Sequence, residues 1–395
     1  MTTARNHSAP RLLLTVCTIS FVCFFGSYMR IPIVPLLATS LGADTAEVGM
    51  INGAFMLVAG ALSIPSGLIS DRLGRRFPLL GGLALLSCSS FLLYWSSTPL
   101  QMGLIYLLFG MGLSAFSPTL MSYVADFTPP EVLGRAYGLY TMALYGGMTL
   151  GPAAGGFVST ALGMRSVFLV AGGLIMVMFF VAMIFLPAHA PAHHEGGRPP
   201  LIPELLGLMK NGRLLACLAA TGGGCIGFGM FVTFMPLYIR SQGMGTWQVG
   251  TVFATQALAN ALSRLPSGRL YDRIKDKSVL VVCGLAIFAA ALIIFQFCGS
   301  LAPLVAVAAV MGVSMGVAFT VIGALIADVV PRSLRGLAMG CYNTSVYAGM
   351  MMSSIGLGHV IRQWGFKTGF LVSGTAVAAV LVLFRGLYHR GQEVG

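Results

Sequence analysis

The chain has 395 residues, of which 57% are hydrophobic and only 9% charged, and its mean hydropathy is +0.88. A soluble domain carries about 25% charged residues, so soluble packing is excluded and lipid must be the solvent for most of the surface. The formal charge of +12 would suit a nucleic-acid partner in a soluble protein, but the basic residues sit in short loops, as described next, and no nucleic acid is expected.

Successive apolar runs predict twelve membrane spans, at about 12–39, 48–70, 77–96, 100–125, 134–160, 165–187, 213–239, 247–268, 278–298, 302–327, 336–360 and 366–388. Each approaches the roughly 20 residues that cross about 30 Å of hydrocarbon. The runs are continuous rather than alternating, which favours helices over a closed barrel, the other structure that satisfies its backbone in lipid. The first run is too long for a signal-peptide core and no small-residue cleavage site follows it, so it is expected to be retained. With both termini on one side, 17 of the 23 Lys and Arg residues belong to that side, 4 to the other, and Arg30 and Arg264 lie within spans. This asymmetry predicts cytoplasmic termini and cationic loops that face the anionic lipids of the inner leaflet.

Residues 188–212 form a linker rich in Pro, Gly and His. It divides the chain into an N-terminal six-helix bundle (1–187) and a C-terminal one (213–395). Within the linker, His189, His193, His194 and Glu195 lack the supporting groups that a metal cage needs, so no metal is expected. The eight cysteines fall inside spans without metal spacing and read as small buried apolar residues. Gly222-Gly-Gly-Cys-Ile-Gly227 matches a dinucleotide fingerprint but follows no strand and lies in an apolar helix. No nucleophile–base set or carboxylate pair is visible, so neither an enzyme nor a cofactor is expected.

Two segments recur. Gly67, Asp71, Arg72, Gly74, Arg75 and Arg76 follow the second span, and a worn copy with Gly268, Asp272 and Arg273 returns 201 residues later. Asp126 and Asp328 stand 202 residues apart, each three residues before a proline, with Arg135 after the first and Arg335 and Gly336 after the second. Glycines let helix ends approach, and an acid is favoured at a helix N-terminus by about 0.3–1 kcal/mol when exposed. Doubled acid–base loops on one side of a duplicated membrane protein point to gates. In the fifth span, Gly147, Gly151 and Gly155 share one face, beside Pro152 and Gly156. Such a face suits close helix packing, and proline adds a kink point.

The chain resembles a member of the major facilitator superfamily over essentially its whole length. Gly67 to Arg76 matches that family's loop signature at every defined position, and Gly147 to Gly156 resembles its exporter motif. The resemblance implies a twelve-helix fold in two pseudo-symmetric bundles and, from the exporter motif, drug/proton antiport. It also implies that Asp71 meets the helix starting near Gly336 and pairs with an arginine there, locking the cytoplasmic side. Antiporters of this group usually carry an arginine four residues before a glycine in the fourth span. Here Tyr106 stands four before Gly110, so proton coupling rests on the resemblance alone.

All eleven acids fall in loops, tails or helix ends. Glu47, at the start of the second span, is the nearest candidate for ion coupling. Arg30 lies roughly 27 Å along the first span at 1.5 Å per residue. It either anchors, by snorkelling outward or pairing with Glu47, or faces the cavity and binds an anionic group. Further cavity candidates are Asn52, Tyr123, the helically spaced Tyr137, Thr141 and Tyr145, Phe231, Phe234, Gln256 with Asn260, and Asn343 with Tyr347. Each is either helix–helix glue or a ligand contact. Their mixture of apolar and neutral polar groups favours an amphipathic organic substrate. The expectation is a monomeric secondary transporter of the bacterial inner membrane, exporting amphipathic compounds against protons. Rival readings are an organic-anion importer, a lipid-headgroup flippase and a non-transporting scaffold.

Overall fold

The structure is a computed structural model that describes residues 9–128, 132–187, 201–331 and 334–393. Among the described residues all regular structure is helical: α1 (Ala9–Arg30), α2 (Ile33–Ser40), α3 (Thr45–Leu73), α4 (Arg76–Trp95), α5 (Pro99–Phe127), α6 (Leu133–Leu162), α7 (Ser166–Phe185), α8 (Leu201–Leu208), α9 (Gly212–Ser241), α10 (Thr246–Arg273), α11 (Ser278–Phe295), α12 (Leu301–Val329) and α13 (Arg335–Glu393). Among those residues, nine helices are long and apolar enough to cross a membrane. The glycine- and tyrosine-rich α6 and the polar α10, with Gln248, Gln256, Asn260 and Arg264, complete the spanning set.

Three local features depart from the expected spans. The first span is broken, because a turn at Ile31 and Pro32 separates α1 from α2. Pro32 and Pro35 have no N–H, so the carbonyls of Tyr28 and Ile31 lose their helical donors. The last two spans, both within Arg335–Glu393, are two helices that meet without a longer loop at Gly365, whose non-helical φ of 81° suits glycine. Part of the expected linker, Leu201–Leu208, is helical; residues 188–200, with the three linker histidines, lie outside the described residues. Six of the eight cysteines are buried or half-buried as expected, but Cys88 and Cys283 are exposed on the outside of their helices, where lipid is an adequate solvent for a thiol.

The chain divides into two compact units. Unit 1 comprises residues 1–42, 61–193 and 245–254, and unit 2 comprises 43–60, 194–244 and 255–395. In unit 1, α4 packs on α5 where a Cβ on Gly82 would lie 2.9 Å from the Gly112 carbonyl. In unit 2, α11 packs on α12 in the same way, with Gly284 placed 3.0 Å from the Ser314 carbonyl. Both partners are shifted by 202 residues, so the repeat extends to the packing.

Candidate functional site

Within unit 1 the described structure gathers an unusual polar cluster at the end of α1. Arg30 is the last residue of that helix and is 0% exposed. Its Nη1 donates to Ser90 Oγ at 2.8 Å and Ser89 Oγ at 3.3 Å. Both serine hydroxyls in turn donate to the Leu86 carbonyl at 2.9 Å, which leaves their oxygens free to accept from the arginine. The Arg30 Cζ sits 3.7 Å from the Phe109 ring centre, a cation–π contact that strengthens when desolvated. Tyr106 tilts against Phe109 at 5.6 Å. The Nε and Nη2 atoms of Arg30 are buried and have no partner. The negative end of the α1 dipole supplies further compensation. Glu47 is engaged in a reciprocal cap at the start of α3, where its carboxylate accepts from the Asp44 amide and its own amide donates to Asp44 Oδ1, both at 2.9 Å.

Unit 2 holds polar side chains that are neutral apart from Arg264. Thr233 on α9 and Ser354 on α13 share a hydrogen bond of 2.8 Å, and Ser354 also donates to Met56 Sδ at 3.6 Å. Asn52, one turn before Met56, is buried with its Nδ2 unpartnered. On α10, Gln256 donates to Met315 Sδ at 3.5 Å, and Asn260 Oδ1 accepts from Arg264 Nε at 3.0 Å. Asn343 is exposed and Tyr347 half-buried on α13. Phe231 and Phe234 are fully buried, the former packed on Phe228 and Phe295. In unit 1, Tyr123 is buried and donates to the Pro187 carbonyl at 3.1 Å. Tyr137, Thr141 and Tyr145 are half-buried along α6, and the Thr141 hydroxyl bonds back to its own helix.

Among the described residues, each unit carries an ion pair at its basic end. Arg75 Nε meets Asp126 Oδ2 at 3.0 Å, and Lys277 Nζ meets Asp328 Oδ2 at the same distance. Both members of the second pair lie 202 residues beyond those of the first. Asp328 also accepts from Tyr271 at 2.5 Å, whereas Arg76 reaches the Met183 carbonyl. Arg135, Asp272, Arg273 and Arg335 are exposed, and Gly74 is buried with φ 82°. At Gly67 and Gly268 a Cβ would meet nothing within 4 Å among the described residues. The side chains of Asp71 and Arg72, and the surroundings of Gly336, lie outside the described residues.

The glycine face of α6 packs directly on α1. A Cβ on Gly151 would lie 2.7 Å from the Phe25 carbonyl, and on Gly147 and Gly155 it would overlap the carbonyls of Phe21 and Met29. The next glycine, Gly156, faces α10, where its Cβ would lie 2.7 Å from the Thr246 carbonyl, and Thr160 bonds Thr246 at 3.0 Å. Unit 2 repeats this seam between α3 and α13. Gly358 would place a Cβ 2.7 Å from the Thr45 carbonyl, Thr45 donates to the Gly358 carbonyl at 3.0 Å, and Arg362 pairs with Asp44 at 3.1 Å. Both seams lie at the helix ends opposite the basic loops.

The partners of Arg30 escaped the sequence reading, although two adjacent serines in the leucine-rich fourth helix were a signal. So did Lys277, which completes the second ion pair in place of an arginine.

This duplicated helical fold, with matched ion pairs at its basic ends and polar clusters within its units, is that of a membrane protein built from two copies of one plan. The family model described as Major Facilitator Superfamily matches residues 16–275 and 247–394, and the chain belongs to that family. It is therefore a multi-pass membrane transporter of twelve helices in two pseudo-symmetric bundles, not an enzyme. It is 26% identical over 403 residues to the 4-hydroxybenzoate transporter PcaK of Pseudomonas aeruginosa, covering 90% of this chain and 87% of that protein. It is 25% identical over 296 residues to the multidrug resistance protein MdtG of Proteus mirabilis, covering 72% and 73%. Its fold is similar to that of a bacterial homologue of the human lysosomal transporter Spinster, with a TM-score of 0.79, 16% identity and 97% of each chain covered.

Proposed function

We propose that this chain is a secondary active exporter of amphipathic organic compounds in the bacterial inner membrane, with both termini cytoplasmic. The observation that carries the reading is the Gly147–Gly151–Gly155 face seated against the α1 backbone. It gives α6 a smooth surface on which small shifts cost little, and it continues through Gly156 into a seam that must separate when the far end opens. Similarity to MdtG supports the efflux direction. Alternating access would use the halves 1–187 and 213–395, joined by 188–212. The Asp71 and Asp272 loops would act as gates at the basic side, together with the Arg75–Asp126 and Lys277–Asp328 pairs. Asn52, Gln256, Asn260 and Asn343 would contact substrate, protons would be the coupling ion, and the working unit would be a monomer.

A second reading is favoured by Arg30, a buried cation of a kind that an exporter of lipophilic cations does not need. Similarity to PcaK supports organic-anion transport. The test is ethidium efflux from preloaded cells expressing the wild type or Asp71→Asn. Export predicts faster efflux in the wild type and at least a tenfold loss in Asp71→Asn at equal expression. Wild-type efflux no faster than the empty-vector background overturns the export reading, and normal efflux by the variant removes Asp71 from the gate.

A further inference from the structure

The second half of the chain serves as an internal control for Arg30. Gly42 and Gly243, 201 residues apart, take the same left-handed turn after the first helix of each half, with φ 93° and 79°. Pro35 and Pro236 keep the same spacing. The α4–α5 and α11–α12 packing glycines fix an offset of 202 for the next two helices. The counterpart of Arg30 is therefore Phe231. The counterparts of Ser89, Ser90, Tyr106 and Phe109 are Ala291, Leu292, Ala308 and Met311. All five counterparts are apolar and buried. The corresponding helix, α9, also runs unbroken through Pro236, whereas α1 stops at Arg30. The scaffold thus forms without a cation or a break at this place, and only one copy carries both.

A buried charge without a counter-charge is costly, and such groups inside membranes mark function. The geometry of Arg30 specifies what it lacks. Nη1 is engaged by Ser89 and Ser90, and Phe109 covers one face of the guanidinium. The unpaired Nε–H and Nη2–H lie along one edge of the planar group as parallel donors, spaced like the two oxygens of a carboxylate. Among the described residues no acid pairs with this single charge, so one negative charge neutralises it, which favours a monoanion over a phosphate dianion. Tyr106 and Phe109 supply an aromatic flank.

We infer that the Nε–Nη2 edge of Arg30 binds the carboxylate of an organic monoanion. This rests on the reading of the chain as a transporter of amphipathic organic molecules and names a charge class for its ligand. Arg30 is fully buried, so loading requires α1 to move, and the Ile31–Pro32 turn directly after it, where Pro32 and Pro35 supply no N–H, is the point at which α1 is already broken.

The test is thermal unfolding and calorimetric titration of the purified full chain with benzoate, benzamide and inorganic phosphate, in the wild type, Arg30→Phe and Arg30→Lys. Arg30→Phe installs the residue that the second half already accommodates, and Arg30→Lys keeps the charge but loses the fork. The inference expects benzoate to raise the wild-type melting temperature and benzamide to leave it unchanged. It expects benzoate affinity to fall at least tenfold in Arg30→Lys and to vanish in Arg30→Phe. Benzoate acting equally on all three proteins, or not acting on the wild type, overturns it. Phosphate binding more tightly than benzoate in an Arg30-dependent way overturns the carboxylate assignment. If Arg30→Phe fails to elute as a monodisperse protein, Arg30→Lys alone decides. Ethidium efflux in the same variants separates the two readings. Retained efflux without benzoate binding sinks this inference and leaves export standing. Benzoate binding without efflux supports the inference and sinks export.

Discussion

Arg30 and Phe231 occupy equivalent places in a repeated fold, yet one is a cation with two serine acceptors and the other a ring packed on a ring. What makes the cation tolerable is local: the hydroxyls of Ser89 and Ser90, the face of Phe109 and the end of the α1 dipole. The serine hydroxyls and the helix end have no counterpart at Phe231, where Ala291 and Leu292 stand in place of the serines and α9 runs on. Phe231→Arg should therefore cost about 3–5 kcal/mol as an uncompensated buried charge, read as lost expression or a sharply lowered melting temperature in detergent. A variant that melts with the wild type would show that this site supplies acceptors or water beyond its own side chains. The sequence made Arg30 visible as a charge inside an apolar span. Its partners stand 59 and 60 residues away, at a distance that no local pattern encodes.

At the scale of the helix, glycine decides where backbones touch. The i, i+4, i+8 spacing of Gly147, Gly151 and Gly155 was legible in the sequence, but not that α1 would be the partner or that Gly156 would turn the contact onto α10. Gly151→Val should destabilise the protein by about 1–3 kcal/mol through overpacking against the Phe25 carbonyl and the Tyr28 side chain. Gly81→Val, where a Cβ meets nothing within 4 Å, should show little packing cost. Thermal unfolding of the pair checks this, and equal melting temperatures would remove the glycine face from the packing argument. The broken first span was readable as well, since Pro32 and Pro35 follow Arg30 directly, but a purely hydropathic reading runs across them. The loop expected before residue 366 reduces to the single residue Gly365, because one left-handed φ is enough to redirect the chain from one helix into the next.

For the whole molecule, duplication was the strongest signal in the chain. The offsets of 201 and 202 residues reappear as matched turns, matched packing glycines and matched ion pairs. Both ion pairs are partly exposed, so each contributes about 0–1 kcal/mol to stability. That is weak for a structural role. The polar clusters of the two units are unlike one another, with a fully buried cation only in unit 1 among the described residues, and this asymmetry was not legible because it depends on which side chains face inward.

The most direct measurement is the direction of ethidium movement in membrane vesicles of opposite orientation. Everted vesicles containing the wild-type chain, energised by respiration, should accumulate ethidium, and an uncoupler should collapse that accumulation. Accumulation confined to right-side-out vesicles, or none in either orientation, would contradict gradient-driven export.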